Sequence, residues 1–124
     1  MLTAAGIAVA GALGALARYG LEGAVARLGG SGFPWGTFVV NVTGSLAVGL
    51  LFTLMTERVS IDPWLRSTLL IGFLGAYTTF STLSLETYRL IEDGAVGLAF
   101  ANSAGSLAAG LLAVYVGVVA GRAI

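Results

Sequence analysis

The sequence predicts an all-α membrane protein with four transmembrane helices per subunit, the third of them broken. Three observations predict this fold class. Of the 124 residues, 57% are hydrophobic and only 10% are charged, whereas a soluble domain carries about 25% charged residues. Four segments are long and apolar enough to cross a bilayer, which takes about 20 residues. Glycines and hydroxyl side chains interrupt the third of these segments.

The four predicted spans form one domain over residues 1–124. They cover residues 2 to 25, 38 to 55, 65 to 90 and 94 to 121, approximately. The first span is rich in small residues, as a signal peptide is, but it lacks a basic leading region and the rest of the chain is equally hydrophobic. We therefore interpret it as a retained span. Four spans with short connections place both termini on the same side.

Composition excludes several kinds of chemistry. Cysteine, histidine and lysine are absent, which removes thiolate metal sites, the usual general base and Schiff-base formation. The sequence therefore predicts that the protein is not an enzyme. The formal net charge is zero, which argues against a nucleic-acid partner.

The arginines do not orient the chain. Three would lie on the terminal side and three on the opposite side: Arg58, Arg66 and Arg122 against Arg18, Arg27 and Arg89. The positive-inside rule needs an excess on one side. A weakly biased chain oriented by its insertion history is one explanation. Dual topology, with copies inserted both ways to form an antiparallel dimer, is the other, and the charge balance favours it slightly.

Small residues recur in every span, for example Gly6 and Gly14 in the first and Gly44 and Gly49 in the second. Small residues let helix backbones approach closely in lipid. Four spans have little interior in which to bury so many small faces, so the pattern favours oligomerisation. Close packing within one bundle is the alternative.

The segment "GFLGAYTTFSTLSLE", residues 72–86, predicts the break. It holds two glycines and then five hydroxyls within seven residues: Thr78, Thr79, Ser81, Thr82 and Ser84. Isolated hydroxyls in a span bond back to the i−4 carbonyl, but this cluster exceeds that explanation. A broken helix frees carbonyls and amides, and irregular backbone at membrane depth is tolerated only beside a cavity or an ion.

Other polar residues in the spans have two interpretations each. Asn41 lies four residues after Thr37 on one helical face, and it either borders a conduction path or makes an interhelical hydrogen bond. Arg18 either snorkels to the interface or supplies positive potential at a pore mouth. Glu86 is either a vestibule group or an ordinary carboxylate at a span end.

Two further features are equally open. Asn102 and Ser106 lie four apart in the fourth span, as either a polar track or part of a small-residue packing face. Phe80 lies among the hydroxyls, where it either faces lipid or fills the core, as most phenylalanines in a span do, or turns its positive ring edge to an anion.

At this point the residues resemble a known family. "GALGALARYG", "GTFVVNVTGSLAVG" and "GFLGAYTTFSTLSLE" are similar to the three signature segments of the Fluc (CrcB) fluoride channels, in order along the whole chain. The resemblance implies an antiparallel, dual-topology homodimer in the cell membrane that exports fluoride passively through two pores and protects the cell from its toxicity. It also implies a structural sodium ion on the dimer axis, held by the backbone carbonyls of Gly75 and Thr78.

The resemblance assigns further residues by position. Those it implies along the pore are Asn41, Phe80, Ser81, Thr82, Ser84 and Thr37, and those it implies at the vestibule are Arg18 and Glu86. Two positions depart from the family pattern. Leu83 stands where a second phenylalanine is usual, and Asn102 with Ser106 stands where a tyrosine and a serine are frequent.

Three alternatives stay open. A small multidrug-resistance-like exporter needs a carboxylate within the first span, where Glu22 is the only acid and lies near the end. A non-transporting scaffold predicts only packing losses when Asn41 or the hydroxyls are replaced. Some Fluc relatives pair two distinct subunits of fixed topology, and the balanced arginines favour a homodimer only moderately.

Overall fold

The computed structural model describes residues 1–30 and 32–124, and within these residues all regular structure is helical. The first membrane helix, α1, is Leu2–Leu28. The second, α2, is Trp35–Thr53 and continues as a π-helical turn, Leu54–Arg58. The fourth, α6, is Val96–Ala123. These helices are long and apolar enough to cross a membrane, as is the composite third helix over Pro63–Glu92.

The third membrane helix has four parts. It begins as α3, Pro63–Ser67, where Pro63 occupies the first turn after the extended Asp62, a position that needs no amide donor. It widens to a π-helix over Thr68–Leu74, narrows to the single turn α4, Gly75–Tyr77, and resumes after a break as α5, Phe80–Glu92. The prediction of four spanning helices with a broken third is confirmed.

The turn after α5 depends on a glycine. Gly94 has φ of 78°, the left-handed region that glycine enters without steric cost. The Ala95 amide donates to the Leu90 carbonyl at 2.8 Å and the Gly94 amide to the Ile91 carbonyl at 3.0 Å. This is the hydrogen-bond pattern of a glycine-terminated helix, and it starts α6 back across the membrane.

Glycines allow the helices to approach closely. A Cβ atom at Gly49 of α2 would overlap the Val114 carbonyl of α6, and one at Gly117 would overlap the Leu46 carbonyl. At Gly14 of α1 a Cβ would overlap the Phe73 carbonyl of the π-helical segment. Packing within one chain therefore accounts for Gly14 and Gly49, which the sequence alone had favoured as sites of oligomerisation.

Candidate functional site

The break in the third membrane helix is two residues long. Thr78 (φ −82°, ψ 157°) and Thr79 (φ −148°, ψ 113°) are both extended, and α5 begins at Phe80. The Thr79 hydroxyl accepts a hydrogen bond from the Thr82 amide at 3.2 Å. Thr79 is therefore the N-cap of α5, which satisfies one of the amides that a helix start leaves free.

Asn41 of α2 pairs with the backbone at the break. The Thr79 amide donates to Asn41 Oδ1 at 2.8 Å, and Asn41 Nδ2 donates to the Thr79 carbonyl at 3.0 Å. The side-chain amide thus supplies both partners that Thr79 would have had in a continuous helix. Since each unpaired backbone group in lipid costs several kcal/mol, this pairing explains how the extended conformation is tolerated.

The same contacts free two carbonyl groups. In a continuous helix the Gly75 carbonyl would accept from the Thr79 amide, which here donates to Asn41. The Thr78 carbonyl would accept from the Thr82 amide, which here donates to Thr79 Oγ1. Carbonyl oxygens released at a helix break are ligands for small cations. The donor set at Gly75 and Thr78 therefore fits a sodium ion.

Further contacts from α2 hold both halves of the broken helix. The Thr37 hydroxyl donates to Glu86 Oε1 of α5 at 2.7 Å. Thr43 Oγ1 lies 2.8 Å from the hydroxyl of Tyr77 in α4. A Cβ atom at Gly44 would overlap the Thr78 side chain. Helix α2 therefore contacts the third membrane helix on both sides of the break, at α4 and at α5.

Arg18 reaches the break from α1. Its Nε donates to the Ala76 carbonyl at 3.2 Å, and its Nη1 lies 4.0 Å from Glu22 Oε1. Ala76 is in the last turn before the break, where helix carbonyls carry partial negative charge and a cation is favourable. The structure thus places this charge against the backbone of the broken helix.

A groove with a volume of about 770 Å³ runs between α2, α5 and α6. Six of the sequence-predicted site residues line it: Asn41, Thr78, Phe80, Leu83, Ser84 and Ser106. The Phe80 side chain is 81% exposed, so in a single chain it projects from the start of α5 with little packed against it.

The remaining predicted residues lie elsewhere. Thr37 and Glu86 line a second pocket of about 340 Å³, together with Glu22. Asn102 is fully buried, and its Nδ2 donates to the Thr87 hydroxyl at 3.0 Å. This is an interhelical hydrogen bond between α6 and α5, whereas the sequence had offered a polar track or a small-residue packing face for Asn102.

Ser81 and Thr82 lie in the first turn of α5, beside the N-cap. Thr79 Oγ1 is 2.9 Å from Thr82 Oγ1 and 3.4 Å from Ser81 Oγ. Neither side chain lines the groove. The structure therefore brings these two residues to the break and separates them from Leu83 and Ser84.

Sequence reasoning missed several polar groups of the site. Thr87 lines the groove between Asn102 and Leu83, and Ser45 and Ser103 line it from α2 and α6. Thr87 follows Leu83 by four residues and Ser84 by three, so helical spacing alone puts all three on one face. Tyr77 carried no such signal, because its contact with Thr43 depends on how α4 is rotated.

Comparisons with known proteins identify the family. The family model described as CrcB-like protein, Camphor Resistance (CrcB), matches residues 5–118. The chain is 48% identical to the fluoride-specific ion channel FluC of Magnetococcus marinus, covering 95% of this chain and 96% of the relative. It is 50% identical to the FluC of Nitratidesulfovibrio vulgaris over 94% of both chains, and 46% identical to that of a Geobacter species over 95% of both.

The relatives carry the name of a channel and not that of an enzyme. Within the described residues four helices are long and apolar enough to cross a membrane, and the family match includes most of each. The chain is therefore a multi-pass membrane protein, and it belongs to the CrcB-like family.

Proposed function

We propose that the chain conducts fluoride passively across the cell membrane and so lowers fluoride inside the cell. The observation that carries the proposal is the broken third helix, paired by Asn41 and opening onto a groove lined with hydroxyls. The names of the relatives support fluoride as the ion.

The chemistry of the groove suits a small, strongly hydrated anion. Such an ion enters a channel only if close hydrogen-bond donors replace its water. Asn41 Nδ2 has two hydrogens and gives one to Thr79, so the other is free to donate. Within the described residues the buried Ser106 hydroxyl has no partner. The α5 N-terminus at Phe80 adds partial positive charge beside the groove.

Phe80 and Leu83 set the apolar part of this path. A phenyl ring presents a positive edge to an anion, and Phe80 borders the groove. Leu83 lines the same groove, where the family resemblance implies a second ring. We propose that the path lacks a ring-edge contact at Leu83, because leucine has no aromatic ring. The ion therefore meets one fewer weak site than in a chain with both rings.

A second, inverted copy of the chain is proposed to cover the groove, giving an antiparallel homodimer. The groove is open on a single chain, and Phe80 projects beside it. Gly75 is also exposed, and a Cβ there would meet only the Leu70 carbonyl, at 3.7 Å. The equal division of arginines between the two sides is compatible with insertion in both orientations.

We also propose the structural sodium ion at the carbonyls of Gly75 and Thr78. A bound cation offsets the negative charge of carbonyls released from a helix. Arg18 donates a hydrogen bond to the neighbouring Ala76 carbonyl. The carbonyls of Gly75 and Thr78 are left to bind the metal. We also propose that a vestibule at one end of the pore is bordered by Thr37, Glu86 and Arg18.

The exporter alternative has less support. Proton-coupled exchange would need an acid within the first span, and Glu22 lies near the end of α1 with Arg18 4.0 Å away. The scaffold alternative gives no reason for an asparagine side chain to replace two backbone hydrogen bonds beside a groove.

Reconstitution in liposomes tests the function. Liposomes loaded with fluoride or chloride and containing the purified protein should release fluoride, measured with an ion-selective electrode, and retain chloride. Well-folded protein that releases no fluoride contradicts the proposal. Fluoride release that proceeds only with a proton gradient contradicts the passive mechanism.

Chemical labelling tests the topology. The chain has no cysteine, so Gly30→Cys and Ser60→Cys each give one thiol, at opposite ends of α2. A membrane-impermeant maleimide should label about half of each variant from outside, as equal populations in both orientations require. Complete labelling of one variant and none of the other excludes dual insertion.

A further inference from the structure

The hydroxyl pair of Tyr77 and Thr43 has no part in the function described above. Thr43 Oγ1 donates to the Val39 carbonyl at 2.7 Å and approaches the Val40 carbonyl at 3.2 Å. A threonine hydroxyl has one hydrogen, and these carbonyls take it. The Tyr77 hydroxyl, 2.8 Å from Thr43 Oγ1, is therefore the donor of their shared bond, and Thr43 is the acceptor.

Helix α4 needs contacts of this kind because it is the last turn before the break. It has three residues, Gly75–Tyr77, between a π-helical segment and the extended Thr78. One turn without a following turn has no hydrogen bonds ahead of it to fix its rotation. Backbone bonds from the preceding segment hold the turn on that side only, for example the Thr78 amide to the Leu74 carbonyl at 3.0 Å, so its exact orientation depends also on side-chain contacts with neighbouring helices. Two such contacts exist, Arg18 on the Ala76 carbonyl and Tyr77 on Thr43.

The ring of Tyr77 is held as well as its hydroxyl. It stacks on Phe73 with centroids 6.0 Å apart and planes at 11°. A Cβ at Gly44 would lie 3.1 Å from Tyr77 Cδ1, so the ring packs directly on the α2 backbone. Removing only the hydroxyl leaves this packing in place, and the effect of the hydrogen bond can then be measured by itself.

We propose that Tyr77, through Thr43, is a positioning residue that fixes the rotation of α4 and hence the direction of the Gly75 and Thr78 carbonyls. This inference rests on the proposed sodium site. Gly75 begins α4 and Thr78 directly follows Tyr77, so any rotation of the turn moves both carbonyls. The sodium affinity of the protein should depend on this bond, while fluoride conduction at saturating sodium should not, because bound sodium then holds the two carbonyls.

The test compares sodium affinity with conduction. Tyr77→Phe, Thr43→Val and the double variant are purified and reconstituted without sodium, and sodium is then added. Two quantities are measured: the sodium concentration that gives half of the maximal rise in melting temperature, and the fluoride efflux at saturating sodium. Thr43→Ser, which keeps the acceptor, and Tyr115→Phe, whose side chain is 66% exposed, are the matched controls.

In both single variants the half-saturating sodium concentration should rise about fivefold, the effect of one neutral hydrogen bond. In the double variant the half-saturating sodium concentration should rise no further, because the two changes remove the same bond. Fluoride efflux at saturating sodium should be the same in these variants as in the original protein. Both control variants should match the original protein in sodium dependence and in efflux. A lower melting temperature with unchanged sodium dependence would reduce the pair to a packing contact and overturn the proposal.

Failure of the underlying proposals gives different results. If sodium affects neither quantity in the original protein, the sodium site and the positioning role both fail, while fluoride efflux still supports the channel. If the original protein passes no fluoride but sodium raises its melting temperature with the expected change in Tyr77→Phe, the positioning role stands and the proposed conduction fails.

Discussion

Replacing Asn41 by alanine should weaken the fold in proportion to the two backbone groups that it serves. The Thr79 amide and carbonyl lose partners at 2.8 and 3.0 Å. An unsatisfied buried group costs about 1–3 kcal/mol, so the pair gives about 2–6 kcal/mol. Thr79 also borders the groove, where water can replace part of the loss. We expect a decrease of about 3 kcal/mol in the free energy of unfolding.

Asn41→Asp separates the backbone pairing from conduction. One carboxylate oxygen can still accept from the Thr79 amide, but the other faces the Thr79 carbonyl, where Nδ2 donated before. The variant should still form the dimer. Its fluoride efflux should be abolished, because a negative charge beside the groove repels an entering anion.

Both quantities can be measured on one preparation. Unfolding in detergent with increasing denaturant gives the change in free energy, and liposome efflux gives conduction. Ser45→Ala, one turn further along α2 and also at the groove, is the control for stability. If Asn41→Ala unfolds within about 0.5 kcal/mol of the original protein, as an ordinary surface change does, the role of Asn41 at the break is refuted. Unimpaired efflux in Asn41→Asp would remove Asn41 from the path.

Four further substitutions test packing, assembly and the path. Gly49→Ala should destabilise the folded protein by about 1–3 kcal/mol, because its Cβ overlaps Val114. Gly105→Ala, whose Cβ would meet no atom within 4 Å, should stabilise it by up to about 1 kcal/mol through helix propensity. Equal unfolding midpoints for the two variants would contradict this. Gly75→Leu should leave the chain folded but monomeric by cross-linking, and a normal dimer yield would place Gly75 outside the interface. Leu83→Phe should raise the rate of fluoride efflux, and a rate no higher than that of the original would show that a second ring adds nothing here.

The sequence predicted the spans and the break because both follow from local composition. Apolar length identifies a membrane helix, and glycines followed by clustered hydroxyls identify a place where the helix cannot continue unchanged. The backbone adopts the extended conformation at Thr78 and Thr79, the first two residues of the hydroxyl cluster. Asn41 was also singled out from the sequence, since a large polar group in a span needs an explanation, but its pairing with Thr79 was not predicted.

The partners of these residues could not be predicted, because they depend on how separate helices are rotated against each other. Arg18 contacts the Ala76 carbonyl 58 residues away, and no pattern within α1 indicates that carbonyl. The same limit applies to glycine. Gly49 and Gly105 look alike in sequence, yet a Cβ at the first overlaps α6 and a Cβ at the second meets nothing within 4 Å. Only the packed helices distinguish a contact within the chain from one left for a partner.

The hydroxyls of the groove are mostly engaged already, and this bears on how an anion could pass. Ser84 donates to the Phe80 carbonyl at 3.0 Å, Ser103 to Ala99 at 3.0 Å, and Thr87 to Leu83 at 2.8 Å. Such i−4 bonds are the usual state of hydroxyls in a helix. To serve a permeating ion, each hydroxyl must rotate away from a carbonyl, so it exchanges one acceptor for another. The net free energy gained at each position is therefore small, and a row of such positions binds an anion weakly enough to let it leave, as conduction requires.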